Sequence, residues 1–93
     1  MLRITVDDQQ RVLSFHLEGR LEGPWIAELA ECWRDMLALT GKPAIRVDLT
    51  GMTFVDAPGK AQLRAMHREG AEFIADDCLM REVVSEIIEG RLP

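Results

Sequence analysis

The residues best placed to do chemistry in this 93-residue chain lie in one run, Val47-Asp48-Leu49-Thr50-Gly51-Met52-Thr53-Phe54-Val55-Asp56-Ala57-Pro58-Gly59. The run reads as a strand, a short connection that includes Asp56, and the opening of a helix. Pro58 follows two positions on, and the first turn of a helix tolerates proline because its missing N–H would be unpaired anyway. Asp56 is thus a natural N-cap, a carboxylate able to accept from the free N–H groups of that turn. Asp56 is either such a cap or part of a partner surface, two roles that are compatible. Thr50 and Thr53 are the nearest hydroxyls, ordinary residues for strands and turns. Lys60, Arg64, His67 and Arg68 fall on one arc of the helix that follows, with Ala57 on the same arc. They form either a solvated charged face or a basic docking stripe suited to an acidic partner.

Other reactive side chains assemble nothing comparable. His16 is isolated on a strand, with no serine or cysteine nucleophile beside it, which argues against a triad. Cys32 and Cys78 are far apart, with no CxxC or Cys/His cluster, so neither a disulfide framework nor a zinc site is expected. No acid/base pair, metal set or phosphate-cradling glycine loop is present, and the expectation is a protein without catalysis, metal or cofactor. A nucleotide at the second helix's start is physically conceivable, but Asp56 opposes a polyphosphate.

Several elements must position that run. Hydrophobic residues make up 47% of the chain and charged residues 29%, a balance that folds. The length suits one domain over residues 1–93. A formal charge of −5 argues against a nucleic-acid surface. No stretch approaches the roughly 20 apolar residues that span a bilayer, so no membrane insertion is expected. The beginning, Met1 to Asp8, lacks a signal-peptide apolar core and reads as a strand. Cytoplasm is the simplest compartment.

Leu2, Ile4 and Val6 alternate with polar residues, and Val12 to Leu17 returns with Leu13, Phe15 and Leu17 on one face, an entry hairpin around Asp7–Gln10. Gly19 to Gly23 leads into a helix from about Pro24 to Thr40. Its apolar arc holds Trp25, Ile26, Leu29, Ala30, Cys32, Trp33, Met36, Leu37 and Leu39. Both tryptophans lie inside that arc, so they are expected in the core, with Trp25 nearer the arc's edge and open to partial exposure. Gly41 and Pro43 stop the helix. Ala44 to Leu49 is the third strand, and a connection then opens a second helix from about Pro58 to Glu69, with a narrow apolar face of Gly59, Leu63 and Met66. Phe73 to Ala75 is a short fourth strand. Asp76 or Asp77 caps a last helix with the stripe Leu79, Met80, Val83, Val84, Ile87 and Ile88. The order β-β-α-β-α-β-α predicts an α/β domain: a four-stranded mixed sheet with an entry hairpin and three helices. Its right-handed crossovers bring the second helix's start to the carboxyl ends of the strands.

These segments together resemble the STAS domain, the fold of anti-sigma-factor antagonists and of cytoplasmic domains in sulphate transporters. Gly19-Arg20-Leu21-Glu22-Gly23 is similar to the family's Gly-x-Leu-Asp segment before the first helix. Val47 to Asp56 is similar to its third strand and following aspartate, and Leu63 and Gly70 sit where it has a leucine and a helix-ending glycine. Phosphorylated members follow the aspartate with Ser-Ser-Gly or Ser-Ala-Gly, and a kinase that is itself the anti-sigma factor modifies the serine or a threonine there. Here Ala57 occupies the acceptor position and has no hydroxyl, so phosphorylation at the usual place is chemically impossible; Thr53 is a poor substitute.

The resemblance implies two functions. One is a non-catalytic partner-switching regulator, bound by a kinase-like anti-sigma factor through Asp56, Ala57, Pro58, Gly59, Lys60, Arg64 and the Gly19, Arg20 and Leu21 segment. The other is a cytoplasmic accessory subunit that braces the ATPase of a lipid-transporting ABC complex, which needs no switch.

Overall fold

The computed structural model describes residues 1–9, 11–40 and 44–90. Its elements are β1 (Leu2–Gln9), β2 (Val12–Leu21), α1 (Trp25–Thr40), β3 (Ala44–Val55), α2 (Ala57–Arg68), β4 (Ala71–Ile74) and α3 (Cys78–Glu89). The strands lie in the order β1-β2-β3-β4. β1 and β2 are antiparallel, and β2, β3 and β4 run parallel. This is the expected mixed sheet with an entry hairpin and three helices.

Both parallel connections step the same way across the sheet, so right-handed crossovers put α1 and α2 on one face. There α2 packs against α1, and α3 packs against α2 and β3. The strand residues facing them are buried: Leu13, Phe15, Leu17 and Leu21 from β2, and Ile45, Val47, Leu49, Met52 and Val55 from β3. Leu29 and Trp33 of α1, Leu63 and Met66 of α2, and Met80, Val83 and Ile87 of α3 close the core from above. The rings of Trp33 and Phe15 meet at 5.4 Å, and the indole N–H of Trp33 donates to the Glu69 carboxylate at 3.0 Å. The opposite sheet face carries Ser14, His16, Arg46 and Asp48 and no helix covers it among the described residues.

Several bounds depart from expectation for identifiable reasons. β3 does not end at Leu49 but continues to Val55, and β2 continues through Gly19, Arg20 and Leu21. Two register shifts, between His16 and Glu18 and between Gly19 and Arg20, each insert an extra residue on β3. The inserted residues space the buried Leu49, Met52 and Val55 three apart, which hides the strand from a search for strict alternation. β4 comes two residues early because its backbone pairs with Ile45–Asp48 directly after Gly70. In α3 the flanks of the expected stripe, Leu79 and Ile88, are each 56% exposed, because the helix buries a narrower strip of Met80, Val83 and Ile87 with Val84 partly buried beside it. Leu39 is likewise exposed. Trp25, at the edge of the apolar arc, is half-buried against the core, in keeping with that position. β1 reaches Gln9, so Asp7, Asp8 and Gln9 belong to the strand and not to a turn. The expected turn residue Gln10 and the expected helix stop at Gly41 and Pro43 lie outside the described residues.

Candidate partner-binding site

The carboxyl ends of β2 and β3 lie side by side, with Arg20 opposite Phe54 and Leu21 opposite Val55. The Asp56 N–H then donates to the Leu21 carbonyl at 3.2 Å. The two segments singled out in the sequence, Gly19–Gly23 and Asp56–Gly59, are therefore one structural unit, held on strand ends rather than on a free loop.

Asp56 is the N-cap of α2. Its backbone is extended (φ −81°, ψ 177°), its Oδ1 accepts from the Gly59 N–H at 2.7 Å, and its carbonyl accepts from the Lys60 N–H at 2.9 Å. With proline at position 58 supplying no N–H, the carboxylate already occupies the place that a bound anion would take. Ala57 and Pro58 are exposed at the very start of the helix. Gly59 is buried against β2. A Cβ there would stand 2.9 Å from the Leu21 carbonyl oxygen and 3.0 Å from Asp56 Oδ1, so the helix start and the strand end touch backbone to backbone.

Arg20 and Phe54 complete the surface. The Arg20 guanidinium lies 4.4 Å from the centroid of the Phe54 ring, which is 36% exposed, and its Nε donates to Glu22 at 2.5 Å. The exposed ring adds apolar area at the end of β3, two residues before Asp56. Residue spacing missed Phe54 as a site residue, whereas Glu22 lies inside the Gly19–Gly23 segment already singled out. The only signal was an aromatic residue placed just before Asp56. Thr53, the substitute acceptor considered above, donates its hydroxyl to the Gly19 carbonyl at 3.0 Å and so ties the same two strands.

The basic arc of α2 is turned differently from the docking stripe considered above. Lys60 Nζ sits 2.7 Å from Glu86 Oε2, and Arg64 Nη1 donates to the Ile87 carbonyl at 2.6 Å, at the carboxyl end of α3. Lys60 and Arg64 thus hold α3 in place. His67 stands over Phe73 and beside the Ala71 carbonyl.

His16 is not isolated. Its Nδ1 lies 3.2 Å from Asp48 Oδ2 across the β2–β3 register. Burial pushes the Asp48 carboxyl up, but hydrogen bonds from the Thr50 side chain and N–H, together with His16, outweigh it and hold Asp48 below the ordinary carboxylate value. Cys32 has its thiol pushed up by burial first and then by Asp35 and Glu28, which disfavours a thiolate. Among the described residues no group of His, Cys, Asp and Glu side chains is arranged to hold a metal ion, and no helix is long and apolar enough to cross a membrane.

No family model matches the chain, and no curated protein matches it by sequence. Solved structures do match it. An anti-sigma factor antagonist from Mycobacterium paratuberculosis superposes with a TM-score of 0.81 at 18% identity, over 100% of this chain and 84% of that one. The anti-sigma factor antagonist SpoIIAA in its unphosphorylated form gives 0.69 at 16% identity, over 90% and 83%. An antisigma-factor antagonist STAS domain from Rhodobacter sphaeroides gives 0.59 at 17% identity, over 80% and 84%. Identities this low speak for the backbone alone. From its hairpin to its last helix, the chain has the fold of STAS domains and anti-sigma-factor antagonists.

Proposed function

We propose that this chain is a non-catalytic interaction module of the anti-sigma-factor-antagonist kind, acting in the cytoplasm and held permanently in the equivalent of the unphosphorylated state. The observation that carries the reading is the fusion of Gly19–Glu22 with Phe54–Gly59 at the start of α2, with Ala57 exposed at its centre. Arg20, Phe54, Asp56, Ala57 and Pro58 form the contact face in this reading. Gly19, Leu21 and Gly59 shape it from beneath, and Lys60 and Arg64 support it by fixing α3.

Ala57 makes the face a constant one. A phosphate at that position would add about −1.5 to −2 charges beside the Asp56 carboxylate, and Ala57 cannot receive it. The test names the partner. Affinity capture from native lysate, with wild-type and Ala57→Glu baits read by mass spectrometry, does so. Recovery of a kinase-like anti-sigma factor that the Glu bait loses supports the proposal. Recovery of an ATPase with a permease, on both baits, replaces it with the transporter-subunit function.

A further inference from the structure

We propose that the outer edge of β1 is a docking edge for a second copy of this chain, the two strands pairing antiparallel with Thr5 opposite its own counterpart. β1 is an edge strand of 8 residues that pairs with β2 alone among the described residues. Ile4, Thr5 and Val6 at its centre carry no proline, no charge and no irregularity in register. β4, at the opposite edge, has only 4 residues.

The hydrogen-bond phase of β1 fixes which groups are free. The Arg20 N–H donates to the Met1 carbonyl at 2.9 Å, so Met1 and Arg20 form a hydrogen-bonded pair. Bonded and non-bonded pairs alternate along an antiparallel ladder. Arg3, Thr5 and Asp7 therefore turn their backbone groups toward Glu18, His16 and Ser14 of β2. The N–H and C=O groups of Ile4 and Val6 point out of the sheet edge.

The side chains say what would meet them. Inverted about Thr5, the segment Arg3-Ile4-Thr5-Val6-Asp7 matches itself: Arg3 faces Asp7 of the second copy, and Ile4 faces Val6. The match respects the pleat. Arg3, Thr5 and Asp7 are exposed on the open sheet face, while Ile4 and Val6 are half-buried on the helix side against the core. It also respects the phase, because Ile4 and Val6 become the hydrogen-bonded pair. Arg3 and Asp7 fall in the non-bonded pair, where side chains approach most closely. Sliding the second copy by two residues either way loses both charge pairs, and sliding by one sets opposite faces against each other. The resulting assembly is a continuous sheet with the two Asp56–Gly59 surfaces at opposite ends.

Sedimentation analysis over a concentration series tests this on the full chain. The wild type is expected to show a reversible monomer–dimer equilibrium. Asp7→Arg and Arg3→Asp each create two like-charge pairs and are expected to weaken self-association roughly tenfold or more. An equimolar mixture of the two variants restores both pairs and is expected to dimerise again. Circular dichroism checks that each variant folds. Should either fail to fold, Thr5→Cys decides instead, since its thiols would meet across the two-fold axis and cross-link two copies on mild oxidation. A monomeric wild type, charge variants that self-associate unchanged, an equimolar mixture that stays monomeric, or a Thr5→Cys protein that does not cross-link overturns the proposal.

Discussion

The Asp56 N–H donates to the Leu21 carbonyl at 3.2 Å, and this bond joins the end of β2 to the start of α2. It converts two segments that are far apart in sequence into one surface. Gly59 lies directly over that junction, with no room for a side chain between the helix and Leu21.

Gly59→Ala is expected to destabilise the protein even though alanine favours a helix. The added Cβ would meet the Leu21 carbonyl oxygen at 2.9 Å, and Asp56 Oδ1 and Val55 Cγ1 at 3.0 Å. Overpacking of this kind costs about 1–3 kcal/mol, against a propensity gain of about 1 kcal/mol. Denaturant unfolding should show a net loss. Asp56→Ala should lose about 1 kcal/mol through the cap, while Asp56→Asn keeps the cap and is nearly neutral. Any effect of Asp56→Asn on partner binding then reports on the charge alone.

Arg64 is expected to act on stability and not on partner binding. Its guanidinium donates to the Ile87 carbonyl at 2.6 Å, beside the Lys60–Glu86 pair. Hydrogen bonds from charged donors contribute about 1.5–3 kcal/mol, so Arg64→Met should lower unfolding stability by about that amount. An Arg64→Met protein that folds as stably as wild type but binds its partner poorly would return this residue to the contact face.

Asp48 should shape the acid limb of the stability curve. Its carboxyl is held below the ordinary value in the folded protein, where Thr50 and His16 outweigh the opposing effect of burial. The unfolded chain takes up the proton at higher pH than the folded one. The contribution is therefore complete above about pH 4 and is lost as pH falls through the depressed folded value. Asp48→Asn should flatten that loss in a series of thermal melts from neutral to acid pH. A wild-type curve no steeper than the Asn curve would contradict it.

Much of this architecture was legible in residue order. The arc of Leu29 and Trp33, the narrow face of Gly59, Leu63 and Met66, and the caps at Asp56 and Asp77 all stand where periodicity and capping chemistry put them. Three features were not legible, each for a physical reason. The inserted residues in β3 break the two-residue period, so the strand up to Val55 reads as a connection. Periodicity places Lys60 and Arg64 on one arc of α2, but only packing shows that Glu86 and the Ile87 carbonyl lie opposite that arc. His16 and Asp48 meet through the register of two strands separated by a whole helix, and neither residue's neighbours in sequence reveal it.

The surface around Ala57 is expected to bind its partner as a permanently unmodified face. The most direct measurement is a calorimetric titration of the captured partner with wild-type and Ala57→Glu protein, both verified as folded. The predicted result is tight binding by wild type and at least tenfold weaker binding by Ala57→Glu, on the scale of a like charge placed beside Asp56 in a buried contact. Equal affinity for the two proteins would contradict the account and remove this surface from the binding site.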